Sequence, residues 1–240
     1  SAFRLFHEYP LEGKPPMMTH LFENAQGDRI IAAKGAPEAI LAVSVLTDAE
    51  KERIREQVRL FGERGYRVLG VAKALFAGNR FPDRQQEFSF SFLGLTVFYD
   101  PPKKGIGEVF QKIYKAGIQV KVITGDNADT TRAIAEQAGI ISRLPPVNGS
   151  DIVSLDEQEL VTLAGEATLF TRMFPDAKLA VVNALKQKGE VVAMLGDGVN
   201  DAPALKAAHI GVAMGNKGTE IAKAAASLVV AAGVSSSVIG

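Results

Sequence analysis

Short apolar runs alternate with segments of helical periodicity along the part of the chain that follows Asp100. The runs are continuously apolar, as is typical of strands that are buried on both faces of a parallel sheet. The predicted strands cover 119–123, 168–171, 191–195, 210–213 and 228–230. The predicted helices cover 107–116, 129–138, 176–188, 202–208 and 219–226, with a short capped helix after Ser154. Strands and helices in this succession predict an α/β fold with a doubly wound parallel sheet.

The part before Asp100 has a different pattern. The segment Thr47-Asp48-Ala49-Glu50 is a capping box, and it predicts the start of a helix that ends near Gly65. Strands are predicted over 29–33, 66–75 and 92–99, and glycine and proline between residues 78 and 82 indicate the turn between the last two. This part is therefore expected to be a mixed α+β unit with a mostly antiparallel sheet.

Asp100-Pro101-Pro102-Lys103 separates the two patterns. Two successive prolines fix the backbone angle φ and bias the preceding residue toward an extended conformation. We therefore interpret this segment as a stiff hinge. We therefore expect two domains, covering residues 1–99 and 100–240.

Composition narrows the classes of function. The 240 residues are 47% hydrophobic, and 27 basic side chains balance 27 acidic ones, so a nucleic-acid binder, which normally carries a basic surplus, is not expected. The chain has no cysteine, which excludes disulfides and thiolate metal sites. No apolar run approaches the roughly 20 residues that span a bilayer.

The richest chemical signal is the turn Gly196-Asp197-Gly198-Val199-Asn200-Asp201, which follows a predicted strand. The glycines let the backbone approach a ligand, Asp197 offers hard oxygen ligands for Mg²⁺, and Asn200 can bind a phosphate oxygen. The alternative is a plain strand-to-helix turn in which Asp201 is the N-cap and Pro203 lies in the first helical turn.

A second polar turn, Thr124-Gly125-Asp126-Asn127, follows the strand predicted at 119–123. Its hydroxyl and its backbone amides can hold a phosphate oxygen near a helix N-terminus. Lys178 lies in the first turn of the helix predicted from Asp176, where a cation opposes the helix dipole and would be stabilised by an anionic ligand. A solvated surface lysine is the alternative.

Four motifs in this order, Asp-Pro-Pro-Lys, Thr-Gly-Asp-Asn, Arg-x-x-Pro-x-x-Lys and Gly-Asp-Gly-Val-Asn-Asp-Ala-Pro, resemble the cytoplasmic catalytic region of P-type cation-transporting ATPases. The stretch from Met214 to Lys223 is similar to the calcium- and sodium-pump branch. The resemblance implies a haloacid-dehalogenase-like phosphorylation domain over residues 100–240, preceded by a partial α+β nucleotide-binding domain.

In the first domain the resemblance implies three contacts with ATP. Lys34, within Lys-Gly-Ala-Pro-Glu, matches the family lysine of the adenine pocket, Tyr9 matches the ring that stacks on adenine, and Arg67 matches an arginine that reaches the phosphates. Lys14 is a further, weaker match. Without the resemblance, these residues are consistent with a strand-turn-helix segment, a core aromatic residue and a solvated strand arginine.

In the second domain the resemblance implies a Mg²⁺ and phosphoryl site. Asp197 would hold Mg²⁺ with Asp201 as a second acidic group, and Asp126 and Arg172 would contact ATP where the domains close. The residues that would stabilise the transferred phosphoryl group are Thr124, Gly125, Lys178 and Asn200.

The aspartate nucleophile of the family, in Asp-Lys-Thr-Gly-Thr, does not occur in this sequence, and neither does an Asp-x-Asp substitute. We therefore expect an internal piece that begins after the nucleophile strand and is inactive alone. Its partners would be that strand and the transmembrane domain of a pump whose cation it does not itself bind, at the cytoplasmic face of a membrane. A soluble phosphatase of the wider superfamily and a non-catalytic nucleotide-binding module are the alternatives.

Overall fold

The computed structural model describes residues 2–13, 15–76, 78, 80–215 and 218–230. Contacts between residues divide the chain into two compact units, Ser1–Pro101 and Pro102–Gly240. Lys14, one of the weaker matches from the sequence, lies outside the described residues.

Unit 1 contains a five-stranded sheet in the order β1-β2-β3-β4-β5, and every neighbouring pair is antiparallel. Its strands are β1 Arg4–Glu12, β2 Met17–Glu23, β3 Arg29–Gly35, β4 Arg67–Ala74 and β5 Phe90–Phe98. Helices α1 Pro37–Val43 and α2 Asp48–Glu63 connect β3 to β4, and a short 3-10 turn covers Gln85–Glu87. The antiparallel α+β arrangement expected for this part is confirmed.

The capping box at the start of α2 forms as the sequence predicts. The Thr47 hydroxyl accepts a hydrogen bond from the Glu50 amide at 3.3 Å, and the Glu50 carboxylate accepts one from the Thr47 amide at 2.8 Å. These bonds pair two of the amide groups that an N-terminus leaves without helical partners. Hydrogen bonds that the Thr47 hydroxyl and, with a smaller effect, the Thr47 amide donate to the Glu50 carboxylate lower the pKa of this carboxyl below its ordinary value.

One face of the antiparallel sheet carries the core of unit 1. Ile31 and Ala33 of β3 are buried on this face, together with Ile40 of α1. Gly70 permits the close approach of α1, because a Cβ atom at this position would lie 2.9 Å from the Ile40 Cβ. The alternate strand residues point to the opposite face, which we call the outer face.

Unit 2 contains two separate three-stranded sheets, in which every pair of strands is parallel. One sheet has the order β6-β8-β7 and the other β11-β10-β9. The strands are β6 Val122–Ile123, β7 Val147–Asn148, β8 Leu169–Thr171, β9 Ala193–Gly196, β10 Ile210–Met214 and β11 Leu228–Val230. The helices are α3 Ile106–Lys115, α4 Ala128–Gln137, α5 Gly149–Ile152, α6 Glu157–Glu166, α7 Pro175–Gln187, α8 Ala202–Ala207 and α9 Glu220–Ala225.

The α/β class and the parallel strand direction are therefore confirmed, whereas the single continuous sheet implied by a doubly wound fold is not what the described residues form. Strand β7 and helix α5 were not predicted. Strand β7 is two residues long and pairs with β8, and Asn148 caps α5 by accepting a hydrogen bond from the Ser150 amide at 3.0 Å. Such a short strand depends on its tertiary partner more than on its own sequence.

A shared core joins the two sheets of unit 2. Helix α7 contributes Ala177 and Val181, both fully buried, and these pack in one apolar cluster with Phe170 of β8 and Met194 of β9. Because α7 touches this common core, the position of its first turn is fixed with respect to the strands of both sheets.

Candidate functional site

Lys178 and Asp201 form a buried ion pair. The Lys178 Nζ lies 2.6 Å from Asp201 Oδ1, and each side chain is only 11% exposed. Lys178 belongs to the first turn of α7, and Asp201 precedes α8. Burial of either charge alone is expensive, so each of these two shielded charges depends on the other.

The second oxygen of Asp201 organises the turn after β9. Asp201 Oδ2 accepts hydrogen bonds from the amides of Asp197 at 3.3 Å and Gly198 at 3.1 Å. A Cβ at Gly196 would lie 2.7 Å from the Asp201 Cβ, so glycine permits this close packing. The Asp201 side chain makes no capping bond to α8. Both of its oxygens have protein partners, which favours an organising role over the metal ligation predicted for Asp201.

Asp197 presents its carboxylate to solvent. The residue is exposed, and its side chain has no hydrogen bond or ion pair to any other described residue. Its backbone is fixed, since its carbonyl accepts a hydrogen bond from the Thr219 amide at 2.9 Å. Asn200 is exposed in the same turn. A fixed backbone with an available carboxylate fits Mg²⁺, which commonly takes one or two carboxylates and completes its shell with water and substrate phosphate.

The Thr124 turn follows β6 and leads into α4. The Thr124 hydroxyl oxygen accepts a hydrogen bond from the Asp126 amide at 3.1 Å, and Asn127 caps α4 by accepting one from Thr130 at 2.9 Å. Gly125 is exposed, and a Cβ there would meet only the Met173 carbonyl oxygen, at 3.9 Å. The hydroxyl hydrogen of Thr124 and the amide of Gly125 can therefore face an anion.

Arg172 links this turn to the start of α7. It is the one non-glycine residue with a positive φ, 51°, among the described residues. This conformation lets the Arg172 amide donate to the Asp126 carbonyl and the Met173 amide donate to the Thr124 carbonyl, both at 2.9 Å. Residues held in the left-handed region cost free energy and cluster at functional sites. Backbone hydrogen bonds thus connect the Thr124 turn to the segment that runs from Arg172 to Lys178.

Lys34 and Arg67 lie on the outer face of the sheet in unit 1. Lys34 of β3 is opposite Val71 of β4, and Arg67 lies four residues before Val71 on the same strand. With a rise of about 3.3 Å per residue, the two backbone positions are about 13 Å apart along the strand. Two exposed cations at this separation on an open face can bind the two ends of an extended anionic ligand.

Tyr9 lies on the other face, in the core. Its ring is 6% exposed and packs edge to face against Phe88, and its hydroxyl donates to the Pro82 carbonyl. Burial, followed by the nearby Asp83 and Glu87 carboxylates, raises the pKa of this hydroxyl. The ring has no open face for adenine, so the structure corrects the stacking role expected of Tyr9 and favours its alternative, a core aromatic residue.

Three outer-face residues were missed by the sequence reasoning. Met18 and Val71 lie directly on either side of Lys34, and Leu69 lies between Val71 and Arg67 on the same face. Strand alternation counted from Lys34 and Arg67 would have found Leu69 and Val71, since every second residue of a strand shares a face. Met18 depends on the register of β2 against β3.

No three His, Cys, Asp or Glu side chains within 2–13, 15–76, 78, 80–215 and 218–230 are grouped so that they could hold a metal ion by themselves. Within the same part of the chain, no helix combines the length and apolar character that crossing a membrane requires.

Comparison with known proteins gives a consistent result. Residues 28–209 match the sequence model of haloacid dehalogenase-like hydrolases. A calcium-transporting ATPase of Bacillus subtilis is 33% identical over 95% of this chain and 27% of its own length. A probable cation-transporting ATPase F of Mycobacterium bovis is 37% identical over 84% of this chain and 24% of its own length. A sodium/potassium exporting P-type ATPase of Schizosaccharomyces pombe is 34% identical over 92% of this chain and 23% of its own length.

The chain therefore spans about a quarter of the length of these relatives. The matches confirm the resemblance that the four motifs indicate.

Proposed function

Because the chain belongs to the haloacid dehalogenase-like hydrolase family, we propose that it is the ATP-binding and phosphoryl-transfer region of an ATP-driven cation pump. The relatives that cover most of the chain are named as calcium-transporting or cation-transporting ATPases, which supports this proposal. In the complete pump this region lies at the cytoplasmic face of the membrane, and membrane segments outside this chain carry the cation.

The observation that carries the proposal is the buried pair of Lys178 and Asp201 beside the Asp197 turn. Phosphoryl transfer depends on fixed positive charge that stabilises the transferred group, and on a metal ion that neutralises its oxygens. Lys178 supplies that fixed charge, held by Asp201 next to a turn that offers the Asp197 carboxylate. Through Arg172, the segment that begins α7 is also hydrogen bonded to the Thr124 turn.

We propose the following roles for the individual residues. Asp197 ligates Mg²⁺, which when bound neutralises charge on the phosphate oxygens, and Asp201 holds the turn and Lys178 in place. Thr124 and Gly125 donate hydrogen bonds to the transferred group, and Asn200 holds a phosphate oxygen. In unit 1, Lys34 contacts the base end of ATP and Arg67 contacts its phosphates. Asp126 and Arg172 contact ATP.

The nucleophile comes from a segment of the longer protein. Strand β6 is an edge strand of one parallel sheet of unit 2, and strand β9 is an edge strand of the other. The β9 residue Leu195 is apolar but 66% exposed. A parallel strand that pairs with both edges would join the sheets into one and cover this side chain. Its carboxyl end would then deliver an aspartate between the Thr124 turn and the Asp197 turn, as ligand sites in open α/β sheets require.

The test is phosphorylation by ATP labelled in the γ position, followed by acid quenching and hydroxylamine treatment, which cleaves an acyl phosphate. We expect no label on the 240-residue chain. We expect Mg²⁺-dependent, hydroxylamine-sensitive label on a longer chain that includes the preceding segment of the gene. Asp197→Asn in the longer chain should abolish the label, whereas Asp156→Asn, which alters an exposed helix cap in α6, should retain it.

Label on the 240-residue chain itself would contradict the external nucleophile. Steady release of phosphate from simple phosphate esters by this chain would instead support the soluble-phosphatase alternative. A longer chain that binds ATP but is never labelled would support a non-catalytic nucleotide-binding module.

A further inference from the structure

The Asp197 turn is attached to a residue that follows the neighbouring strand. Strands β9 and β10 are parallel, and Gly196 of β9 is paired with Ala213 of β10, so the two strands end side by side. Thr219, which lies between β10 and α9, donates its amide hydrogen to the Asp197 carbonyl at 2.9 Å. A residue far from the turn in the sequence therefore holds the backbone of the proposed Mg²⁺ ligand.

Thr219 is itself held in place by helix α9. Its hydroxyl caps the helix by accepting a hydrogen bond from the Ala222 amide at 3.2 Å, and its carbonyl accepts one from the Lys223 amide at 3.0 Å. Ala222 is fully buried and belongs to the core that α7, β8 and β9 share. The Thr219 amide is thus a fixed donor, because the helix that it begins is anchored in this core.

Gly218 permits the backbone to reach this position. Its own amide donates to the Met214 carbonyl at 2.7 Å, and a Cβ atom at Gly218 would collide with that carbonyl oxygen. A larger residue would push the backbone away from the end of β10 and carry the Thr219 amide with it. The sequence therefore supplies a small residue directly before the donor.

Both backbone groups of Asp197 are held, and they are held by different elements. Its amide donates to Asp201 Oδ2 at 3.3 Å, and its carbonyl accepts from the Thr219 amide at 2.9 Å. Mg²⁺ requires a nearly ideal octahedral arrangement of ligands, whereas Ca²⁺ accepts a flexible shell of six to eight oxygens. A carboxylate on a fixed backbone therefore favours the smaller ion.

We propose that Thr219 is a positioning residue for the Mg²⁺ site, and that its amide makes the Asp197 turn rigid enough to prefer Mg²⁺ over Ca²⁺. The inference rests on the proposed function and deepens it, because it adds a residue that none of the four motifs contains. Thr219 acts on the ligand through its backbone rather than on the metal. Loss of this hydrogen bond widens the range of positions open to Asp197, which weakens Mg²⁺ binding more than Ca²⁺ binding.

The test removes the amide hydrogen of Thr219. The φ of Thr219 is −67°, which is close to the value that proline imposes, so Thr219→Pro deletes the donor without a change in this angle. Thr219→Ala is the comparison, because both variants lose the hydroxyl cap and only alanine keeps the amide. Mn²⁺ bound to the ¹⁵N-labelled 240-residue chain is displaced by Mg²⁺ or by Ca²⁺, and the recovery of broadened amide signals gives the dissociation constant of each ion.

We expect Thr219→Pro to bind Mg²⁺ about tenfold more weakly than Thr219→Ala, which is the lower end of the effect of outer-shell partners on metal affinity. The same comparison for Ca²⁺ should give less than about a threefold difference, because the coordination of Ca²⁺ is flexible. The matched control is Asp156, the N-cap of α6, where φ is −72°. Asp156→Pro and Asp156→Ala should bind each ion equally. Equal Mg²⁺ affinities of the two Thr219 variants, or equal losses for both ions, would overturn the inference.

A measurement on the unmodified chain tests the same hydrogen bond without a substitution. If the bond between Thr219 and Asp197 strengthens Mg²⁺ binding, bound Mg²⁺ must strengthen this bond by the same factor. Saturating Mg²⁺ should therefore slow the exchange of the Thr219 amide hydrogen with solvent by about tenfold. The Ala167 amide, which donates to the Leu163 carbonyl at the end of α6, is the control and should not change. Unchanged exchange at Thr219 would contradict the inference even if the proline variant does not fold.

The outcomes separate this inference from the proposed function. If the unmodified chain binds none of the three ions, or if Asp197→Asn leaves Mg²⁺ binding intact, the proposed metal site fails, and the inference fails with it. If Asp197→Asn abolishes Mg²⁺ binding while Thr219→Pro and Thr219→Ala bind Mg²⁺ equally, the metal site stands. In that case the role of Thr219 is only to cap α9.

Discussion

The buried pair of Lys178 and Asp201 makes the sharpest energetic prediction. Replacement of Lys178 by Met keeps the length of the side chain and removes its charge, which leaves the Asp201 carboxylate with only two amide donors. Replacement of Asp201 by Asn keeps an acceptor for those amides and leaves the Lys178 ammonium in a buried position without its counter-charge. Each single change should lower the free energy of unfolding of unit 2 by about 3–5 kcal/mol.

The expected coupling follows from the separation of the charges. At 2.6 Å, an effective dielectric constant of about 20 gives a gross attraction of about 6 kcal/mol. Relaxation of each single variant and entry of water reduce the measured value, so a double-mutant cycle of Lys178→Met and Asp201→Asn should give a coupling of about 2–4 kcal/mol. The double variant should therefore be much less destabilised than the sum of the single variants.

The assay is urea unfolding followed through the amide resonances of α7, which report unit 2 alone. The matched control is the pair of Lys223 and Glu220, with the Nζ and carboxylate oxygen 2.8 Å apart. The Glu220 side chain is 89% exposed, so the coupling in Lys223→Met and Glu220→Gln should stay below about 0.5 kcal/mol. A coupling for the Lys178 and Asp201 pair that is no larger than this control would refute the reasoning.

Three further predictions concern single residues. In thermal unfolding, the Arg172→Gly variant should be about 1 kcal/mol more stable than the Arg172→Ala variant. Both variants lose the arginine side chain, but only glycine tolerates the positive φ without strain. Equal stabilities would count against backbone strain. Gly149→Ala should destabilise unit 2 by about 1–3 kcal/mol, since the added Cβ would lie 2.6 Å from the Arg172 carbonyl oxygen. Gly107→Ala should instead stabilise α3 slightly, because the nearest atom to its added Cβ would be 3.6 Å away. The Lys121 ammonium donates hydrogen bonds to two carbonyls. Burial and, to a smaller extent, the positive charge of Lys188 lower its pKa, so the pKa of Lys121 in the folded chain lies below that in the unfolded chain. The stability of the unmodified chain relative to Lys121→Met should therefore rise with pH across the window below the ordinary lysine value of 10.5, and a flat difference between pH 7 and 10.5 would contradict this.

Local signals predicted most of the secondary structure. The capping box at Thr47 and the proline at position 175 fix helix starts through contacts within one turn, so the sequence contains all the information. The pairing of strands is not local. Parallel direction follows from the alternation of strands and helices, but the division of unit 2 into two sheets depends on which strand edges meet, and no residue pattern within a strand encodes that.

As with the fold, the sequence predicted the local parts of the candidate site but not the contacts between distant residues. The ends of apolar strands indicated the Thr124 and Asp197 turns, because polar residues at the carboxyl end of a parallel strand face ligands. The pairing of Lys178 with Asp201 joins residues 23 positions apart through tertiary packing, so a motif search gives each residue without its partner. The face on which Tyr9 lies was equally hidden, because register irregularities interrupt the alternation of β1 on both sides of this residue.

Paramagnetic broadening tests the central claim most directly, namely that the Thr124 turn and the Asp197 turn share one metal-phosphate site. Mn²⁺ replaces Mg²⁺ in the ¹⁵N-labelled chain in the presence of inorganic phosphate, and the loss of amide signals marks the residues near the bound ion. We expect the amides of both turns to broaden at the same Mn²⁺ concentration, and we expect Asp197→Asn to restore both sets of signals. Broadening of the Asp197 turn while the Thr124 turn stays sharp, or broadening that survives Asp197→Asn, would contradict a shared site.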